Sequence, residues 1–159
     1  MDIFNEVYKK NKILDKLFID KCYDKDMVKK NKLELLVEIG ELANETKCFK
    51  YWSVKRPSPE LVGLELADCI IMCLCFMSYL NMSLDSDFDN IILDDKVDIF
   101  FNLYRLTIKF IDTEDKNTLK EIFSNLIHLG HLLEFNNDEI INLCLKKIDN
   151  DTKRLENGY

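Results

Sequence analysis

Apolar residues return every three or four positions along most of the chain. The recurrence of Ile3, Phe4, Val7, Leu14, Leu17 and Phe18 predicts an amphipathic helix over 2–20. "DKD" at Asp24 to Asp26 supplies an N-cap for a second helix reaching about Lys47. The aromatic and basic link "CFKYWSVKRPSPE" follows. Its Ser58–Pro59 pair is a good cap and first residue for a third helix running to Leu80. "NMSLDSDFDN" is polar and reads as a loop. Two more helices are predicted over 95–111 and 114–133, broken by "DTED". "NNDE" at Asn136 to Glu139 opens a last helix that runs towards Asn157. With no internal repeat, this is an all-α bundle of about six helices in a single domain spanning 1–159.

Composition supports the pattern. The 159 residues include only 4 glycines and 2 prolines, too few for the many tight turns of a sandwich or barrel. The net charge of -7, with no basic stripe, disfavours binding to a DNA or RNA backbone. No signal peptide is expected. The longest apolar run, 69–80, is too short to cross a bilayer, which needs roughly 20 residues. Cys22, Cys48, Cys69, Cys73, Cys75 and Cys144 form no C-x-x-C pair. They read as reduced thiols of a cytoplasmic protein rather than zinc ligands.

Charge placement within the second helix alters the picture. Glu34, Glu38, Glu41 and Glu45 follow one another at steps of four, three and four, so they share one face. Leu35, Ile39 and Leu42 flank them on one side, with Leu33 and Val37 towards the other. A solvated stripe normally carries Lys or Arg at i+4. Here Glu38 follows Glu34 and Glu45 follows Glu41, each repulsion costing roughly 0.2–0.5 kcal/mol. The next helix, "GLELADCIIMCLCF", is apolar except for Glu65 and Asp68, again on one face. If the two helices pack antiparallel, E-x-x-E meets E-x-x-D. Carboxylates alone are not stable in that arrangement, and divalent cations resolve it. Hard oxygen donors select Mg²⁺ or Mn²⁺. Magnesium held by a few carboxylates takes the rest of its shell from water and substrate phosphates, and Lys50, Lys55 and Arg56 follow at once.

"LLVEIGELANETKCFKYWS" followed by "GLELADCIIMCLCFMSYLNM" resembles the all-α dimeric dUTPases, within the all-α nucleoside triphosphate pyrophosphohydrolase superfamily that includes MazG-like enzymes. "YKKNKILDKL" is similar to that family's first helix, with Asn11 where Gln is usual and Asp15 at a recurrent polar position. "KKIDNDTKRLENGY" is similar to its K-N-x-x-N-x-x-R-Q-x-x-G-Y ending. Lys147, Arg154, Gly158 and Tyr159 match, whereas Ile148, Asp151 and Leu155 replace Asn, Asn and Gln. Residues 85–135 carry no matching motif. The resemblance implies a homodimeric enzyme that hydrolyses dUTP to dUMP and pyrophosphate with Mg²⁺, or Mn²⁺ in its stead, limiting uracil incorporation into DNA. It implies Glu38, Glu41, Glu65 and Asp68 as metal ligands, with Glu41 orienting or deprotonating the water. Lys50, Lys147, Arg154 and Tyr159 would meet phosphates. Asn11 and Asp15 would hold the nucleoside, and Trp52 would stack on it unless it is a core residue.

Two alternatives remain at this stage: a related pyrophosphatase acting on dCTP or another non-standard nucleotide, and a non-catalytic helical interaction module. His128 and His131 lack a third ligand and read as surface or contact residues. The four isolated glycines form no nucleotide loop. Little apolar surface follows Ile148, so the C-terminal segment is expected to serve activity more than the core.

Overall fold

The computed structural model describes residues 4–84 and 91–158. These contain six helices and no strand: α1 (Asn5–Cys22), α2 (Met27–Thr46), α3 (Pro59–Tyr79), α4 (Lys96–Thr113), α5 (Lys116–Leu132) and α6 (Asn137–Glu156). The polar loop after α3 is described only at 81–84 and from 91 onward; the rest of that expectation lies outside the described residues.

Local chemistry fixes the ends. The Ser58 hydroxyl accepts from the Leu61 amide, with Pro59 as the first helical residue. Asn136 and Glu139 form a reciprocal capping box at α6. Asp95 and Asp115 cap α4 and α5. The break between those two turns on Glu114, whose φ of 50° ends α4 in the left-handed region. Asp26 makes no side-chain cap at α2. Asp24 shapes the turn instead, its carboxylate accepting from the Asp26 amide at 2.7 Å.

The central element is α3, which packs against α1, α2, α5 and α6. Its apolar stretch is longer than the run at 69–80. The 21-residue helix has mean hydropathy 2.0 over its best window, enough by length and composition to cross a membrane. That length corrects the sequence expectation. With 61% of that window buried against its neighbours, α3 is the inner helix of the bundle. Gly130 lets α5 come close: a Cβ there would sit 2.7 Å from Ile140 and 3.0 Å from Leu66. Edge-to-face pairs Phe4–Phe123 and Phe76–Phe110 fill the remaining core.

The first and last helices are tied together. Lys21 Nζ donates to the Leu155 carbonyl at 2.8 Å, placing a cation at the C-terminal end of α6. Leu155 is only 3% exposed, as is Ile148. The expectation that the C-terminal segment adds little to the core is therefore wrong for Leu155. At both positions the departure from a polar family residue falls on the core face of α6.

Candidate active site

Consecutive helices α2 and α3 run antiparallel: Asp68 acts on Glu34, earlier in α2, while Glu45, later in α2, acts on Glu65, one turn before Asp68. This register brings Glu38, Glu65 and Asp68 together, each offering an oxygen within 4.8 Å of the others. Leu35, Ile39 and Leu42 bury one shoulder of the stripe. The other shoulder is not buried; Leu33 and Val37 are exposed. The acids therefore line the edge of the helix pair, half-covered, where a small ligand can reach them.

Electrostatics follows from that position. Burial pushes the Glu38 carboxyl up to about 7, reinforced by Asp68, Glu41, Glu65 and Glu34. Burial also raises Glu65, with Asp68 and Glu41 adding to it. Asp68 is raised by burial and held back by Lys147. Glu41 is exposed and lies outside the triad, yet its charge reaches all three members. It is thus at hand for a group bound there without being packed among them.

The cation in this cluster comes from α6. Lys147 Nζ sits 2.9 and 3.1 Å from the two Asp68 oxygens. The ammonium neutralises one member of the triad, Asp68, where a metal ion would neutralise all three, and the all-oxygen donor set suits a hard divalent cation. The residues fit such an ion. Sequence reasoning passed over Asp151 as a mere departure. It lies one turn beyond Lys147, 4.0 Å from its ammonium and 3.6 Å from Arg154, with a side chain only 13% exposed. Its signal was the i, i+4, i+7 spacing of Lys147, Asp151 and Arg154 on one helix face.

The remaining candidates are dispersed. Lys50 is engaged by Asn44 Oδ1 at 2.6 Å, outside the triad. Trp52 is 64% exposed and packs edge-on against Tyr51 and Phe49, so the core role is excluded. Tyr159 lies outside the described residues. Asn11 is fully buried; its amide donates to both Asp15 oxygens at 3.3 Å, and its own Oδ1 has no partner among the described residues. Burial pushes Asp15 up to about 6, against hydrogen bonds from Cys75 and Ser78. The Cys75 thiol feels both Asp15 and Glu34, so this polar group adjoins the acidic stripe. His128 contacts the Leu93 carbonyl and His131 the Asn137 amide oxygen, and neither takes part in the site.

Residues 3–159 match the family model described as dUTPase. The chain belongs to the dUTPase family. It is an all-α dUTP diphosphatase, and the acidic triad between α2 and α3 is the candidate metal centre of a metal-dependent family. No curated protein and no solved structure gives a significant match.

Proposed function

We propose that dUTP is hydrolysed with Mg²⁺, for which Mn²⁺ substitutes, held by Glu38, Glu65 and Asp68 with Glu41 completing the set. The observation that carries this reading is the triad within 4.8 Å, one member of which, Asp68, already holds an ammonium. When bound, the ion supplies positive charge against the phosphates and acidifies water. Glu41, exposed beside the triad, orients the attacking water and accepts its proton as the phosphoanhydride bond opens. Lys147 and Arg154, two turns apart on α6, meet the polyphosphate, where charge-assisted bonds strengthen as negative charge moves to the leaving pyrophosphate. Lys50 and Tyr159 join them. Asn11 and Asp15 form the floor for the nucleoside, and Trp52, exposed on its loop, stacks on the base.

The substrate is a free deoxynucleotide, not a nucleic acid, in keeping with the net charge of -7. The protein works as a homodimer. Leu33 and Val37 on α2 and Phe101 and Ile108 on α4 are 48–64% exposed. These two helices adjoin through Lys32, which donates to the Ile111 carbonyl, and through Gly40, beside Tyr104. Together they offer an apolar strip for a second copy. Six free cysteines suit a reducing cytoplasm, and no membrane is involved.

A panel of deoxy- and ribonucleotides with pyrophosphate detection, run with and without chelator, tests the reading. Turnover of dUTP that stops in chelator and returns with Mg²⁺ or Mn²⁺ is expected. Full activity in excess chelator would sink the metal assignment, and preference for dCTP would change the substrate. Sedimentation of the protein as a monomer at micromolar concentration would refute the dimer.

A further inference from the structure

We propose that Lys147 is a built-in counter-ion that leaves Asp68 when the divalent ion arrives, and that Asp151 is the positioning residue that receives it. The inference rests on the metal reading above and deepens it. It begins from a conflict of occupancy. Lys147 Nζ touches both Asp68 oxygens, at 2.9 and 3.1 Å. Asp68 is a member of the triad that would hold the ion, to which it offers one of those oxygens. A divalent ion and an ammonium cannot share one carboxylate at that distance without strong like-charge repulsion. One of them must yield, and the lysine has a flexible four-carbon stem on which to move.

Its destination is already marked. Asp151 is four residues on along α6, the spacing at which side chains on a helix meet. Its Oδ2 is 4.0 Å from the ammonium, just beyond a direct hydrogen bond. With a side chain only 13% exposed, Asp151 is a charge largely withdrawn from water, and its cationic neighbours are Lys147 and Arg154. Among the described residues Asp151 contributes no atom to the triad, so its place is beside the lysine and not among the metal ligands. An uncharged amide at this position would give Lys147 no comparable seat. In the displaced position the ammonium stands one turn from Arg154, so filling the metal site would also pair the two cations for a phosphate chain. By linkage, metal and phosphate would each strengthen the binding of the other.

The test is Mn²⁺ binding by calorimetry on the full chain without nucleotide, at fixed ionic strength. Lys147→Gln should tighten Mn²⁺ about tenfold, because its competitor is gone. Lys147→Arg, which keeps the charge, should remain near the parent. Asp151→Asn should weaken Mn²⁺ several-fold, because the lysine stays on Asp68. In the Lys147→Gln background, Asp151→Asn should have almost no effect. If Asp151→Asn weakens binding equally in both backgrounds, it acts by direct attraction and the inference is wrong. Unchanged affinity in Lys147→Gln overturns it as well. Lys147→Met serves the same cycle should the Gln variant fail to fold. Absence of Mn²⁺ binding in the folded parent defeats the metal reading itself, whereas binding with additive effects defeats only this inference.

Discussion

Two helix seams of the bundle differ in what they enclose. The buried positions of α4 and α5 include Ile99, Leu103 and Leu106 on the one helix and Leu119, Ile122 and Leu126 on the other. The main polar insertion is satisfied: Asn102 donates to Asn125 at 3.1 Å, and Asn125 donates to the Glu121 carbonyl at 2.8 Å. Along the edge of α2 and α3 the facing groups are Glu38, Glu65 and Asp68, all carboxylates. The first seam gains stability from the apolar groups it buries. In the second, carboxylates are held half-buried, and burial raises the pKa of each, with neighbouring carboxylates adding to it. Such an arrangement persists because α3 is anchored on its other faces, and the strain there is the readiness to bind a cation.

Substitutions should separate the two seams. The largest effect falls on chemistry: Glu41→Gln should lower kcat by about 10²–10⁴-fold, since an amide cannot take a proton from water. Nucleotide binding should survive, and turnover within a few-fold of the parent would remove Glu41 from the mechanism. Next, Phe123→Ala in the apolar core should destabilise the fold by about 3–5 kcal/mol, because a fully buried ring packed on Phe4 is lost. Activity per folded molecule should hold; a specific loss of kcat at low temperature would show that the seams are not independent. A smaller effect is expected from ending the chain after Lys153, which removes buried Leu155 and the acceptor of Lys21, at about 2 kcal/mol. Arg154→Ala, whose side chain is 64% exposed, should keep the parental melting temperature and lose nucleotide stabilisation. Equal melting of both variants and the parent would return Leu155 to a passive tail.

The smallest effect is in pH. The folded, metal-free protein keeps a proton on Glu38 up to about 7, whereas the unfolded chain releases it near 4.5. Between these values the native state binds more protons, so the contribution is complete below the lower value and fades as pH rises through the upper. Melting temperature without metal should therefore decline over this window, and Glu38→Gln should flatten the decline. An unchanged slope in that variant would assign it elsewhere, to Asp15 among others, which is raised in the same direction.

Much of this was readable in the chain. The helices followed from the three-to-four periodicity, and the Ser58–Pro59 and Asn136–Glu139 caps formed as their residue types require. The acidic seam was legible because Glu34 and Glu41 were followed at i+4 by carboxylates rather than cations, and Glu65 and Asp68 interrupted an apolar helix. What single-helix spacing could not give was the partner of Asp68, supplied by a lysine 79 residues away. The same limit hid the roles of Ile148 and Leu155, polar positions in the family pattern that here face the core. Trp52 was ambiguous because a lone aromatic in a short link carries no periodicity, and its exposure is decided by how the link leaves α2.

The separation between Asp68 and Lys147 also has a meaning in time. A chain leaves the ribosome from its N-terminus at about 5–20 residues per second, so Lys147 emerges about 4–16 s after Asp68. Throughout that interval α2 and α3 carry their acids without the lysine. They also lack the face of α6 formed by Ile140, Cys144 and Ile148, which closes the bundle. The acidic hairpin thus waits for the end of synthesis, and the last helix completes both its charge balance and its core.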